Sequence, residues 1–354
     1  MTYYLKNGNT FSLADEESLD LHTSLPAGNY IIKEDMHKNL FLEKIDDFSV
    51  SGKIYGNTLR YTDRILNTFA SRSGTTGVML AGEKGSGKSL LAKNISIAAA
   101  KQHDMPTVVI NSPFCGDTFN KFIQSISQPC VIMFDEFEKV YDHDQQENIL
   151  TLLDGVFPSK KLFVFTCNDK FRVDSNMRNR PGRIFYFIEF SGLDEDFIRE
   201  YCADCLQDES KTDAICKVAS LFSQFNFDML VSIVEEINRY GETPQEVMKL
   251  LNAKPENDNS SHFDIELYVG GKKAETLVET WCGQPMHAQS ISIAYEGPSK
   301  DDDDINEWLD CDFRITDLKE IRDRAGVFVY CKNNGDRLVM TKTKQSNFNF
   351  YDLL

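Results

Sequence analysis

Four short apolar runs, at residues 77–81, 107–111, 131–134 and 162–167, punctuate the middle of the chain, separated by longer mixed stretches. Unbroken apolar runs of strand length suit strands buried on both faces of a parallel sheet, where alternation would be expected of a half-solvated one. Leu90-Leu91-Ala92-Lys93-Asn94-Ile95 begins a helix after the first run, and another helix is expected near Thr118. The expectation is an α/β core over residues 51–190. Beyond it, residues 195–206, 212–222, 227–240 and 244–251 carry apolar positions at helical spacing, which predicts a small helical lid over 191–253. Residues 254–262 read as a linker, polar and with a proline at 255. The period then changes to two at 263–269, and the runs 327–331 and 337–341 flank Asn334-Gly335, a hairpin signal. Residues 263–354 are therefore expected to form a small β-rich or α+β domain. At the other end, residues 25–32 and 39–43 suggest two short strands, so 1–50 reads as a small β-rich segment that recruits a partner or braces the core.

Composition sets outer limits. The chain has 354 residues, 41% hydrophobic and 26% charged, which is ordinary for a globular protein of two or three domains. No apolar run approaches the roughly 18 residues that span a bilayer, and Met1-Thr2-Tyr3-Tyr4-Leu5-Lys6 lacks the basic-then-apolar layout of a signal peptide. A soluble, cytoplasmic protein without membrane attachment is expected. The nine scattered cysteines fit reduced thiols better than a disulfide framework. Cys202-Ala203-Asp204-Cys205 reads as two thiols on one helix face. A net charge of −17 repels phosphate backbones and favours protein partners over nucleic acid. Asp301-Asp302-Asp303-Asp304 reads as a solvated loop.

The chemistry begins where the first apolar run ends. Gly82-Glu83-Lys84-Gly85-Ser86-Gly87-Lys88-Ser89 fits the pattern G-x-x-x-x-G-K-[ST], with a strand before it and a helix after it. Glycines let successive backbone N–H groups turn toward phosphates, Lys88 can reach the β and γ oxygens, Ser89 can ligate Mg²⁺, and the helix points its positive end at the charge. A nucleoside triphosphate with Mg²⁺ is the implied ligand. The run 131–134 ends in Asp135-Glu136, placing two carboxylates at a strand's carboxyl edge: Asp135 for the metal, Glu136 for the attacking water. The run 162–167 ends at Asn168, suited to hydrogen-bond that water and sense the γ-phosphate. Arg180 and Arg183 flank a Pro-Gly turn and suit delivery of positive charge to a neighbouring subunit's phosphate, the alternative being a surface turn with salt bridges. The six histidines show no zinc spacing, no H-E-x-x-H occurs, and no hydrolase triad stands out.

At these residues the sequence resembles the AAA family of ring ATPases, over about residues 53–254. Ile54-Tyr55-Gly56 resembles the family's adenine-side segment and adds Tyr55 and Gly56 to the nucleotide contacts, with 82–90 through Leu90. Leu152-Leu153-Asp154-Gly155 is similar to its L-x-D-G helix end, Thr166-Cys167-Asn168 to its sensor-1 segment, and Arg180-Pro181-Gly182-Arg183 to its finger turn. The resemblance implies a P-loop sheet with a helical lid, Asn168 as sensor 1, and Arg180 and Arg183 acting in trans within a homo-oligomeric ring, usually a hexamer. The lid would close over the adenine and pass nucleotide state to the adjacent subunit. Phe225-Asn226-Phe227-Asp228-Met229-Leu230 contains no sensor-2 arginine, as in AAA members proper.

The resemblance also implies a substrate. Phe114-Cys115-Gly116 stands where the family places its first pore loop and looks like the aromatic-hydrophobic-glycine tripeptide that grips an extended polypeptide. Its cysteine is small for that role, and the alternative is a β–α turn with Phe114 packed on the domain. Residues 139–146, with Tyr141 and His143, occupy the second pore-facing stretch. The expected activity is an ATPase ring that remodels, unfolds or disassembles a protein partner. A nucleic-acid motor or loader remains the alternative, disfavoured by the absence of basic residues from 112–117; a third is an ATP-dependent scaffold with little turnover.

Overall fold

The chain opens on an antiparallel hairpin, β1 (Thr2–Asn7) and β2 (Thr10–Asp15), which sequence reading did not anticipate. The computed structural model describes residues 2–7, 10–15, 20, 22–155, 157, 159–178, 180–190, 192–222, 224–252, 262–283, 285, 288, 290–298, 306–322 and 326–343. These divide into two compact units, one drawn from Met1–Gly82 and Gly87–Phe190, the other from Glu83–Ser86 and Ser191–Leu354.

In the first unit, β3 (Gly28–Glu34) and β4 (Leu40–Ile45) precede α1 (Thr58–Ser71), β5 (Thr76–Gly82), α2 (Lys88–His103), β6 (Pro106–Ile110) and α3 (Gly116–Ser125). Then come β7 (Cys130–Phe134), the short α4 (Phe137–Val140), α5 (His143–Leu153), β8 (Lys161–Cys167), the short α6 (Ser175–Arg178) and β9 (Tyr186–Phe190). One seven-stranded sheet results, in the order β4-β3-β6-β7-β8-β5-β9. Every neighbouring pair is parallel except β3 with the edge strand β4.

The unbroken apolar runs are explained by burial on both faces. Along β5 the side chains alternate, Val78 and Leu80 toward α1 and α2 with Ile65, Leu91 and Ile95, and Met79 and Ala81 toward the opposite core of Phe119, Phe134, Phe137 and Phe165. The two strands expected at 25–32 and 39–43 lie in this sheet, and β3 pairs in parallel with β6. Its Asn29 is buried, with Oδ1 2.9 Å from Ser96 Oγ on α2, which in turn is 2.7 Å from Thr107 Oγ1 on β6. A buried polar group of this kind must be partnered, so β3 is fixed in register by its contacts with the core.

The second unit begins with four helices, α7 (Glu195–Cys205), α8 (Thr212–Ser220), α9 (Phe227–Tyr240) and α10 (Pro244–Leu250). Three start on side-chain caps: Asp194 accepts from Phe197 N, Asn226 from Met229 N, and Thr243 forms a capping box with Glu246. The expected linker lies outside the described residues except for His262, and so does the acidic run 301–304. The remainder is antiparallel: β10 (His262–Val269), β11 (Lys272–Lys273), β12 (Thr280–Cys282), β13 (Ile291–Pro298), β14 (Asn306–Phe313), β15 (Leu318–Arg322), β16 (Val327–Cys331) and β17 (Arg337–Lys342). One sheet runs β11-β10-β17-β16-β15 with β12 also on β10, and β13 pairs with β14 and bridges from Tyr295 to Thr276. Leu221 packs on this β core, and Lys342 Nζ donates to Phe222 O at 2.6 Å, tying the β segment to the end of α8 within the unit. Among the described residues no helix is long and apolar enough to cross a membrane.

Candidate functional site

Three strands adjacent in the sheet, β5, β8 and β7, end in Gly82, Cys167 and Phe134, and the candidate groups follow directly at their carboxyl ends. Gly82, Gly85 and Gly87 have φ of 151°, 78° and 100°, a region that side chains resist and glycine accepts. The glycine pattern is therefore a conformational requirement, and a loop so shaped turns its N–H groups toward an anion. Lys88 opens α2 with only 6% of its surface exposed, and Nζ donates to Gly82 O at 2.6 Å. Burial pushes its ammonium below the usual lysine value, against the opposing pull of Cys167, Glu138, Asp135 and Glu136. Ser89 is exposed beside it and Leu90 half-buried.

The loop tip, Glu83–Ser86, belongs to the helical unit. Asn226 Nδ2 donates to Lys84 O at 3.2 Å, and Phe227 N donates to Gly85 O at the same distance. A Cβ on Gly85 would lie 2.7 Å from Asp228 Oδ2, so the N-terminus of α9 approaches the loop as closely as glycine permits. Ser86 Oγ is buried with no hydrogen-bond partner, a polar orphan within the cradle that a phosphate oxygen would satisfy.

Asp135 and Glu136 are exposed at the end of β7. Thr166, buried on β8, donates its hydroxyl to Asp135 Oδ1 at 2.6 Å and accepts from Glu136 N at 2.9 Å. That bond holds Glu136 in a left-handed conformation, φ 47° and ψ 46°, which costs a non-glycine residue about 1–2 kcal/mol. The Glu136 carboxylate meets Lys139 Nζ at 2.6 Å, and this hydrogen bond raises the Lys139 ammonium above its usual value. Asn168, half-buried after β8, donates its backbone N–H to Glu138 Oε1 at 2.9 Å. The exposed hydroxyl of Ser89 and the carboxylate of Asp135 are hard oxygen donors of the kind Mg²⁺ takes, so the residues present fit that ion.

The finger turn separates its two arginines. Arg180 is exposed. Arg183 forks onto Asp154, with Nε 2.8 Å from Oδ1 and Nη2 on Oδ2, while Nη1 donates to Asn176 O at 3.1 Å. The pairing holds the Asp154 carboxyl below its usual range and raises Arg183. The turn is seated on the start of β5: a Cβ on Gly77 would lie 2.1 Å from Arg183 O, and Phe185 N donates to Gly77 O at 2.8 Å.

Comparison with known families matches residues 78–191 to the ATPase family associated with various cellular activities (AAA). Residues 78–191 of the α/β core are thus an AAA domain by this match. The match covers the strands that carry the phosphate loop, the acidic pair, Asn168 and both arginines, and ends where the helical segment begins. Comparison with curated proteins finds no significant match.

In this AAA domain, Phe114 is half-buried, its ring stacked on Phe119 at a centroid distance of 6.2 Å. Tyr141, itself buried, places its hydroxyl 3.1 and 3.0 Å from the carbonyls of Ser112 and Phe114, joining the two stretches expected to face a pore. The turn of 114–116, with Cys115 half-buried and Gly116 at φ 81°, is thus packed on the core in the protomer. His143 is exposed with Nε2 3.3 Å from Asp174 Oδ2. On the adenine-side segment, Tyr55 is half-buried beneath Lys53 Nζ, 4.9 Å from its ring centroid, and Gly56 is exposed. Sequence reasoning did not single out Thr166 and Glu138 for these bonds. A hydroxyl near the end of an otherwise apolar strand, and a third acid two residues after an acidic pair, were the available signals.

Proposed function

We propose that the AAA domain hydrolyses ATP with Mg²⁺, and that a ring of these chains uses the turnover to remodel a protein partner. One observation carries the reading: the phosphate loop, Asp135 with Glu136, and Asn168 follow three neighbouring parallel strands at one edge of a sheet whose residues 78–191 match an ATPase family. The loop's N–H groups and Lys88 bind the β and γ phosphates and orient the terminal one. Ser89 and Asp135 would hold Mg²⁺, which neutralises charge on the phosphate oxygens when bound. Glu136, once it leaves Lys139, accepts the proton of the attacking water, and the Asn168 side chain orients that water. Arg180 is exposed and suits action on the nucleotide of a neighbouring copy.

A protein partner is favoured by the net charge of −17 and by an aromatic, non-basic turn at 112–117. Phe114 would leave Phe119 to engage it. The test has two stages. Purified protein should release phosphate from ATP only with Mg²⁺; Lys88→Ala should lose nucleotide binding, and Glu136→Gln should bind without turnover. ATP-loaded Glu136→Gln protein is then used to trap its partner in host extract. A protein catch that resists nuclease and is lost in Phe114→Ala supports remodelling. A nuclease-sensitive catch overturns it in favour of a nucleic-acid motor.

A further inference from the structure

Glu138 lies two residues past Glu136, in the single turn of α4, and only 4% of its surface is exposed. Its chain neighbour Phe137 packs with Phe134 and Tyr141 at ring distances of 5.1–5.9 Å, while the Glu138 carboxylate acts electrostatically on Lys88, Lys139 and Cys167. A carboxylate is among the costliest groups to bury, and an apolar side chain would serve packing better. The position nevertheless holds an acid, with one oxygen employed and one idle. Oε1 accepts the backbone N–H of Asn168 at 2.9 Å; Oε2 is buried with no hydrogen-bond partner.

The bond crosses between strands in the direction opposite to a second one. Thr166 on β8 grips the backbone and carboxylate that follow β7; Glu138, following β7, grips the residue that follows β8. Asp135, Glu136 and Asn168 are thereby held in one frame by two reciprocal ties, which engage the Asp135 carboxylate and the backbone N–H groups of Glu136 and Asn168. We propose that Glu138 is a positioning residue for hydrolysis, holding Asn168 by its backbone N–H so that the Asn168 side chain is aimed at the γ-phosphate and its water. The proposal rests on the ATPase reading above and extends it to a group outside the phosphate loop and the acidic pair.

A double-mutant cycle on the full chain tests it, with kcat and KM for ATP and the affinity for a fluorescent ADP analogue measured for each variant. Glu138→Ala should lower kcat by about 10²-fold, the scale of a roughly 1 Å misplacement of a catalytic group. Its KM and ADP affinity should stay within about threefold, since the phosphate loop is untouched. Glu138→Gln keeps an acceptor for the Asn168 N–H and should recover most of kcat. Glu138→Ala/Asn168→Ala should be no slower than Asn168→Ala alone, because Glu138 acts only through that residue. If Glu138→Ala does not fold, Glu138→Asp replaces it: a methylene shorter, it keeps the charge, loses the reach, and should show the same loss and the same non-additivity. Multiplying losses, or a Glu138→Gln protein as slow as the alanine variant, would overturn the proposal alone. A wild-type chain without turnover, or Asn168→Ala at the wild-type rate, would overturn the ATPase or sensor reading and the proposal with it.

Discussion

Thr166→Val is a sharp perturbation because it removes one oxygen while nearly keeping the shape of a side chain that is 2% exposed. Two bonds are lost. The hydroxyl donates to Asp135 Oδ1 at 2.6 Å, a charge-assisted bond of about 1.5–3 kcal/mol. It also accepts Glu136 N at 2.9 Å, a bond that offsets the left-handed backbone of Glu136, a strain of about 1–2 kcal/mol. Glu136 then relaxes and its carboxylate moves. If about 1.4–2.7 kcal/mol of this is felt in the transition state, kcat falls by about 10- to 100-fold. ATP affinity should change little, because the two bonds lost are those to Asp135 and Glu136. The assay is steady-state phosphate release with calorimetric binding of a non-hydrolysable ATP analogue, and Thr166→Ser should restore most of the rate. A Thr166→Val protein with kcat within twofold of wild type would refute the reasoning, as would equal losses in kcat and affinity.

Other positions give independent checks. Lys161 is fully buried on β8, with Nζ donating to the carbonyls of Ile126, Gln128 and Ser159 at 2.8, 2.9 and 3.1 Å. Lys161→Met fills the volume but orphans those acceptors, so urea unfolding should show a loss of about 2–4 kcal/mol; a loss under 1 kcal/mol contradicts the account. Gly77→Ala puts a methyl 2.1 Å from Arg183 O, and the overpacking should cost about 1–3 kcal/mol while shifting the finger turn. ATPase activity, assayed where both proteins are folded, should fall further than stability does. The Asp154 carboxyl is held below its usual 3.8, chiefly by its hydrogen bond from Arg183. A depressed folded-state pKa contributes stability that is complete above the unfolded value and is lost as pH falls through the folded one. The stability difference between wild type and Asp154→Asn should therefore be flat from pH 5 to 8 and shrink only below about pH 4; a change centred near neutrality would exclude this pairing.

The core was legible because its signals are local. β7 is apolar throughout and β5 and β8 are nearly so, apart from Thr76, Lys161 and Thr166, as suits strands buried on both faces. The phosphate loop is legible for the same reason, since three backbone angles that exclude side chains must be glycine. What escaped depends on partners distant in sequence. The strand β14, Asn-Glu-Trp-Leu-Asp-Cys-Asp-Phe, buries only Cys311 and Phe313, too few apolar positions to mark a strand before β13 pairs with it. The two strands near the N-terminus were visible, but not their place in the central sheet, because the parallel pairing of β3 with β6 joins Gly28 to Pro106 across two intervening helices and two strands. In the site, motif spacing located Asp135, Glu136 and Asn168, whereas the bonds that hold them join residues 30 and 31 apart. No local pattern can record such a bond.

Those ties also bear on why an acidic site suits this chemistry. Asp135, Glu136 and Glu138 all act on two ammonium groups, Lys88 and Lys139. On the proposed reading, three carboxylates and two lysines leave an excess of negative charge beside the polyphosphate, which a cation entering with the nucleotide would offset. Lys139 is on the surface, and its bond to Glu136 is an exposed ion pair of small net stability, about 0–1 kcal/mol. A weak bond is what the chemistry needs there. While it is formed, Glu136 is committed to an ammonium and is a poor base; because it is weak, a bound cation and an ordered water can compete for the carboxylate. The bonds from Thr166 and to Glu138 are less exposed than this ion pair, so the exchange would move one side chain and leave the frame around it in place.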